Sequence, residues 1–163
     1  MKILSMKTTI FLGAMLSLLV CLMFTGCSNS ETNSTSRGLT DFAHIEEEYL
    51  ATIDSLNWPD GIALPDKLED EDTGASFQVG YGETRASYLW EYSWMKEWLD
   101  TYNTDPERAE KALEELEKAF DMPYMGIDRC DDATRNYLRE NIDKAKLGDP
   151  SGFTESISAN YAN

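Results

Sequence analysis

One carboxylate stands where an apolar side chain is expected. In residues 84–102, Trp90, Trp94 and Trp98 recur at i, i+4 steps, and Glu91 falls inside the apolar arc they share with Tyr88 and Met95. A carboxylate there must reach an arginine or a tyrosine hydroxyl, line a wet cleft, or shift its pKa upward. If it lines a cleft, Trp90, Glu91, Trp94 and Trp98 form a binding surface, since an aromatic row can carry a sugar or a peptide. Tyr81 and Arg85, at the entry to the same helix, would extend it. The glycine-rich approach of residues 80–82 could cradle an anion beside Arg85, although Glu83 opposes one. Burial of the tryptophans is the favoured arrangement, because a row of exposed ones invites aggregation. General acid–base catalysis needs a second positioned group. None stands at a recognisable spacing, so no catalytic residue is assigned.

Other chemistry-bearing residues are sparse. His44 is the single histidine, beside Glu46, Glu47 and Glu48. One imidazole with solvated carboxylates is a poor zinc set, and no HExxH occurs. Residues 66–74, DKLEDEDTG, cluster carboxylates, yet the twelve-position calcium loop does not fit. Counted from Asp70, glycine comes one place early and no glutamate sits at position twelve. The stretch reads as a mobile acidic loop. Cys130 has no partner for an intramolecular disulfide once the N-terminal segment is set aside, and no base beside it in sequence. No metal and no cofactor are expected.

These residues need elements to hold them. Phe42, Ile45, Tyr49, Ile53 and Leu56 keep helical spacing over 40–56, with Thr40 or Asp41 as cap and a stop at Trp58-Pro59-Asp60-Gly61. Phe77, Val79 and Tyr81 alternate as in a short strand, which could pair with 62–64 in a small β hairpin. The tryptophan helix follows from a Thr84 cap. A third helix opens at Thr104-Asp105-Pro106-Glu107, readable as a capping box with proline in the first turn. A fourth starts at Asp131 or Asp132 and stops at Gly148 and Pro150. A short, fraying fifth carries Phe153, Ile157 and Tyr161. The expected fold is mainly α: a bundle-like domain of four to five helices around the Trp-rich central helix, with the small hairpin.

The first residues are of another kind. Lys2 and Lys7 precede a charge-free apolar run, 8–24, ending in Thr25-Gly26-Cys27. That is the layout of a secretory signal. Phe24-Thr25-Gly26-Cys27, followed by Ser28-Asn29-Ser30, resembles bacterial prolipoproteins cut by the lipoprotein signal peptidase. The resemblance covers about 28 residues. It implies that Cys27 receives a diacylglycerol on sulfur and becomes the mature N-terminus, and that the chain is held outside the cytoplasm on a bacterial membrane. Residues 27–38 are then the lipidated cysteine and a polar tether with too little apolar surface to fold. Residues 39–163 are left as one domain.

Without residues 1–26, the 14 basic residues lose Lys2 and Lys7, leaving 12 against 30 acidic ones, a net charge of −18. Such acidity excludes phosphate-backbone recognition, so no nucleic-acid partner is expected. The reading that results is a membrane-anchored bacterial envelope lipoprotein. It acts as an interaction or ligand-binding module for an envelope protein or small ligand, and a non-enzymatic role is favoured. The competing reading is an envelope hydrolase acting on cell-wall glycan through two carboxylates.

Overall fold

The computed structural model describes residues 38–69 and 71–161. The expected signal, Cys27 and all of the expected tether but Gly38 lie outside the described residues. The domain is mainly α, a five-helix bundle-like arrangement with a small two-stranded hairpin. β1 (Leu39–Thr40) pairs antiparallel with β2 (Phe77–Gln78), Leu39 opposite Gln78 and Thr40 opposite Phe77. The partner of β2 is therefore the start of the domain and not residues 62–64. The pair brings the domain's entry beside the start of the central helix.

α1 (Phe42–Ser55) is capped by Asp41, whose carboxylate accepts from the backbone N–H of His44 at 3.1 Å. It buries Ile45, Tyr49 and Ile53 on one side. Its last turn is closed from outside: the Trp58 indole N–H donates to the Ile53 carbonyl at 2.9 Å. α2 (Tyr81–Thr101) is the central helix and packs against α1, α3 and α5. Trp90, Trp94 and Trp98 are at most 2% exposed. Burial on that scale contributes roughly 1.5–3 kcal/mol gross per large side chain. The indole N–H groups would spoil that gain if left unpaired. Trp90 and Trp94, one turn apart, both donate to the Asn57 carbonyl, at 2.8 and 3.1 Å. The turn after α1 thus supplies the acceptor that two tryptophans of α2 require.

α3 (Pro106–Glu117) is capped by Asp105, which accepts from the Arg108 N–H at 3.2 Å, with Pro106 at the first helical position. The cap lies one residue beyond Thr104, so Glu107 has no capping box to complete. Arg108 reaches back to Glu97 of α2 with two hydrogen bonds, 2.7 and 2.9 Å. After short 3-10 turns at Lys118–Asp121 and Pro123–Met125, Asp131 caps α4 (Asp132–Lys146). Gly148, with φ near +79°, lets the chain reverse into α5 (Ser151–Asn160). Phe153 of α5 is 1% exposed and meets the Trp98 ring edge-on at 5.3 Å.

The candidate sites around the central helix

The six residues read from the sequence as a binding surface separate into three environments. Trp90 and Trp94 belong to the core. Trp98 is also buried, yet its edge helps line a groove of about 460 Å³ between α3 and α4. Tyr81 and Arg85 lie on the outer face at the start of α2. Glu91 sits below a layer of tyrosines.

The start of α2 is an anion site that is already filled. Its first N–H groups are orphans with a partial positive charge. Glu48, from α1, accepts from Gly80 N–H at 2.7 Å through one oxygen and from Gly82 N–H at 3.1 Å through the other. His44 lies 3.3 Å from the same carboxylate. Arg129 pairs with Glu83 at 2.6 Å and its guanidinium covers Gly80, where an added Cβ would sit 2.6 Å from it. At Gly82 an added Cβ would stand 1.8 Å from the Ile45 carbonyl oxygen. Glycine is required here because the backbones of α1 and α2 meet. The expected cradle for an anion is therefore occupied by the protein's own glutamate. The helix also begins three residues before Thr84, whose hydroxyl donates to the Gly80 carbonyl at 2.9 Å.

Tyr81 and Arg85 have a shared partner. Glu71 accepts from the Tyr81 hydroxyl at 2.7 Å and pairs with Arg85 at 3.1 Å. Leu68 is buried, and its N–H donates to Glu46 at 3.3 Å. The acidic stretch expected to be mobile is thus fastened at Leu68 and Glu71 to α1 and α2. Among the described residues no group of three His, Cys, Asp or Glu side chains is arranged to hold a metal ion.

Glu91 is 8% exposed and accepts one hydrogen bond, from the Tyr124 hydroxyl at 2.7 Å. Burial pushes its carboxyl from the ordinary 4.5 up to about 7, and the Tyr124 hydrogen bond holds it back only in part. The phenol of Tyr124 is pushed upward in turn, by burial first and by Glu91 second. Tyr88 meets Tyr124 edge-on at 5.6 Å, and the Tyr161 hydroxyl donates to the Tyr88 carbonyl at 3.1 Å. The choice left open by the sequence, arginine or tyrosine, falls to tyrosine. Tyr124 lies 33 positions away in the 3-10 turn Pro123–Met125, and no local pattern points to it. Cys130 is nearby, its thiol raised chiefly by burial and 3.5 Å from the Met125 sulfur. That shift disfavours the nucleophilic thiolate.

The α3–α4 groove has a mixed lining. Trp98, Ala109, Leu113 and Ala145 form an apolar floor, and Tyr102 stacks on Trp98 at 4.6 Å. Glu110 and Glu114, one turn apart, stand on the α3 rim. Among the described residues neither has a basic partner, whereas Glu115 pairs with Lys118 and Glu117 with Lys146 across the groove's end. Helical periodicity puts Glu110 and Glu114 on the outer, charged side of α3. It does not reveal the groove because the opposite wall belongs to a distant helix.

Among the described residues no helix is long and apolar enough to cross a membrane. Comparison of the chain with protein-family models, with curated proteins and with solved structures found no match.

Proposed function

We propose that this chain is a membrane-anchored bacterial envelope lipoprotein that works as an interaction module, tethered through Cys27 and using the α3–α4 groove as its docking surface. The observation that carries the docking surface is the pairing of an apolar floor with two carboxylates on one rim, Glu110 and Glu114, unpartnered among the described residues. Charge complementarity selects the occupant: a partner segment carrying an apolar side chain flanked by Lys or Arg about one helical turn apart. Desolvated apolar contact supplies affinity in such a groove, and the rim charges supply register and on-rate. The anchor rests on Lys2, Lys7 and the Thr25-Gly26-Cys27 exit, followed by a polar tether. Lipidation with two or more acyl chains makes attachment stable where one chain is marginal.

The docking test uses the full chain in detergent and a fluorescent amphipathic Leu/Lys helix as probe. Glu110→Gln with Glu114→Gln should weaken binding on the order of tenfold at low salt, and less at high salt. A control that removes two charges from α1, Glu47→Gln with Asp54→Asn, should leave affinity near wild type. Equal loss in both variants would reduce the effect to net charge and remove the groove from the account. The anchor has its own test. Cys27→Ala should leave the precursor uncut or release the domain, and unchanged processing into a detergent-dependent form would contradict it.

One feature favours a second reading, the wall-glycan hydrolase: burial lifts the Glu91 carboxyl to about 7, the range that suits a general acid. Against it, the group that hydrogen-bonds Glu91 is a phenol, and among the described residues no second carboxylate perturbs it. Release of sugars from purified wall glycan, lost in Glu91→Gln, would establish this reading over docking.

A further inference from the structure

We propose that Tyr161, at the end of α5, is a proton-controlled latch over Glu91, closed while the Glu91 carboxyl is neutral and loosened once it is ionised. The inference is independent of any docking partner.

Three observations carry it. The carboxyl is buried with one hydrogen-bond donor, Tyr124, and no cation acts on it among the described residues. The groups that face it are Tyr88 on its own helix, Tyr124 on the 3-10 turn, Cys130 before α4 and Tyr161 at the end of α5. None of them is positively charged, and all four are disfavoured from ionising beside it. The cover is also unevenly fastened. The start of α5 is locked by Phe153 against Trp98, while its end is held by the Tyr161 hydroxyl on the Tyr88 carbonyl at 3.1 Å and by ring contact with Tyr92 at 4.7 Å. Beyond Ile157, which packs on the core, that end is held by two tyrosine contacts and can open alone, as local unfolding does.

The coupling follows from hydration. In the closed form an ionised Glu91 would have one phenol in place of water. In the open form water solvates the carboxylate, and its pKa returns toward the ordinary value. A proton therefore binds the closed form more tightly and favours it. Opening should become more frequent as pH rises from about 5 toward 7, then level off once the closed form is itself ionised.

Hydrogen exchange on the full chain in detergent, expressed as protection relative to intrinsic rates, tests this. Protection of the amides of residues 157–161, including the Tyr161 N–H on the Ile157 carbonyl, should fall on the order of 10- to 100-fold between pH 5 and 7 and hold steady to pH 8.5. The amides of α3 should show no such step. In Glu91→Gln, which cannot ionise, the step should vanish. In Tyr124→Phe, which removes the donor that holds the pKa down, the levelling point should move to higher pH. A flat wild-type profile, or the same fall in Glu91→Gln, would overturn the latch. If Glu91→Gln fails to fold, an unmoved levelling point in Tyr124→Phe would do the same.

Discussion

Glu48 and Glu91 are the same side chain used in two ways along one helix. Glu48 comes from α1 and meets the N–H groups of Gly80 and Gly82, which have no partner within α2. Each oxygen meets a donor that would otherwise be an orphan, at the positive end of a helix. Glu91 comes from the middle of α2 and meets a single phenol in an apolar setting. The two differ in the donors supplied, two backbone N–H groups against one phenol, and at Glu91 burial outweighs its single donor. At the start of α2 a carboxylate completes the structure. At its middle the carboxyl is kept neutral, and its charge becomes a liability that pH can switch.

The sharpest way to break the first half of this contrast is to push α1 and α2 apart. Gly82→Ala should cost about 3 kcal/mol or more, since its Cβ would overlap the Ile45 carbonyl oxygen and force the helices off the distance Glu48 spans. Urea denaturation measures it; a loss under 1 kcal/mol would mean the contact relaxes freely.

The second half predicts a pH dependence of fixed sign. Glu91 has a folded pKa above its unfolded one, so the folded state holds the extra proton. Its favourable contribution is complete below about pH 4.5 and is lost progressively up to about 7, beyond which it stays lost. The span between 4.5 and about 7 corresponds to about 3 kcal/mol. Two carboxylates that accept backbone N–H groups near helix starts work in the opposite direction. Asp131 and Asp149, held low mainly by backbone hydrogen bonds to Thr134 and Ser151, lose their contribution as pH falls. The cost of Glu91→Gln, followed by denaturation at each pH, should therefore shrink as pH rises from 5 to 7. A cost that grows over that range would reverse the assignment.

Glu48→Ala leaves the Gly80 and Gly82 N–H groups unpaired. It should cost about 2 kcal/mol, the usual scale for stranded buried donors. At the small end, Lys96→Ala breaks an exposed i, i+4 pair with Asp100 and should change stability by less than about 0.5 kcal/mol. A loss of about 2 kcal/mol would show surface pairing to matter as much here as the helix seam does.

Helical periodicity made the bundle legible in the sequence. The tryptophan spacing located α2, and Asp41 and Asp131 were among the caps it indicated. What it could not show were long-range partners. The start of α2 moved to Tyr81 because Glu48 caps it from another helix, and the cap of α3 moved one residue, from Thr104 to Asp105. The hairpin changed partner because β2 pairs with Leu39–Thr40, a contact that two-residue strands cannot advertise. Glu91 was identifiable as a misfit, but its answer, Tyr124, carries no local signature. The same holds for Asn57, whose backbone carbonyl serves two tryptophans.

The most direct measurement is the titration of Glu91 itself. Side-chain carboxyl carbons can be followed by NMR from pH 3 to 9, with Glu91→Gln assigning the resonance. Glu91 should titrate near pH 7, apart from the ordinary glutamates, and the Tyr88 and Tyr161 ring signals should shift with it. A Glu91 resonance that titrates between pH 4 and 5 would contradict both the neutral burial of this carboxyl and the latch built on it.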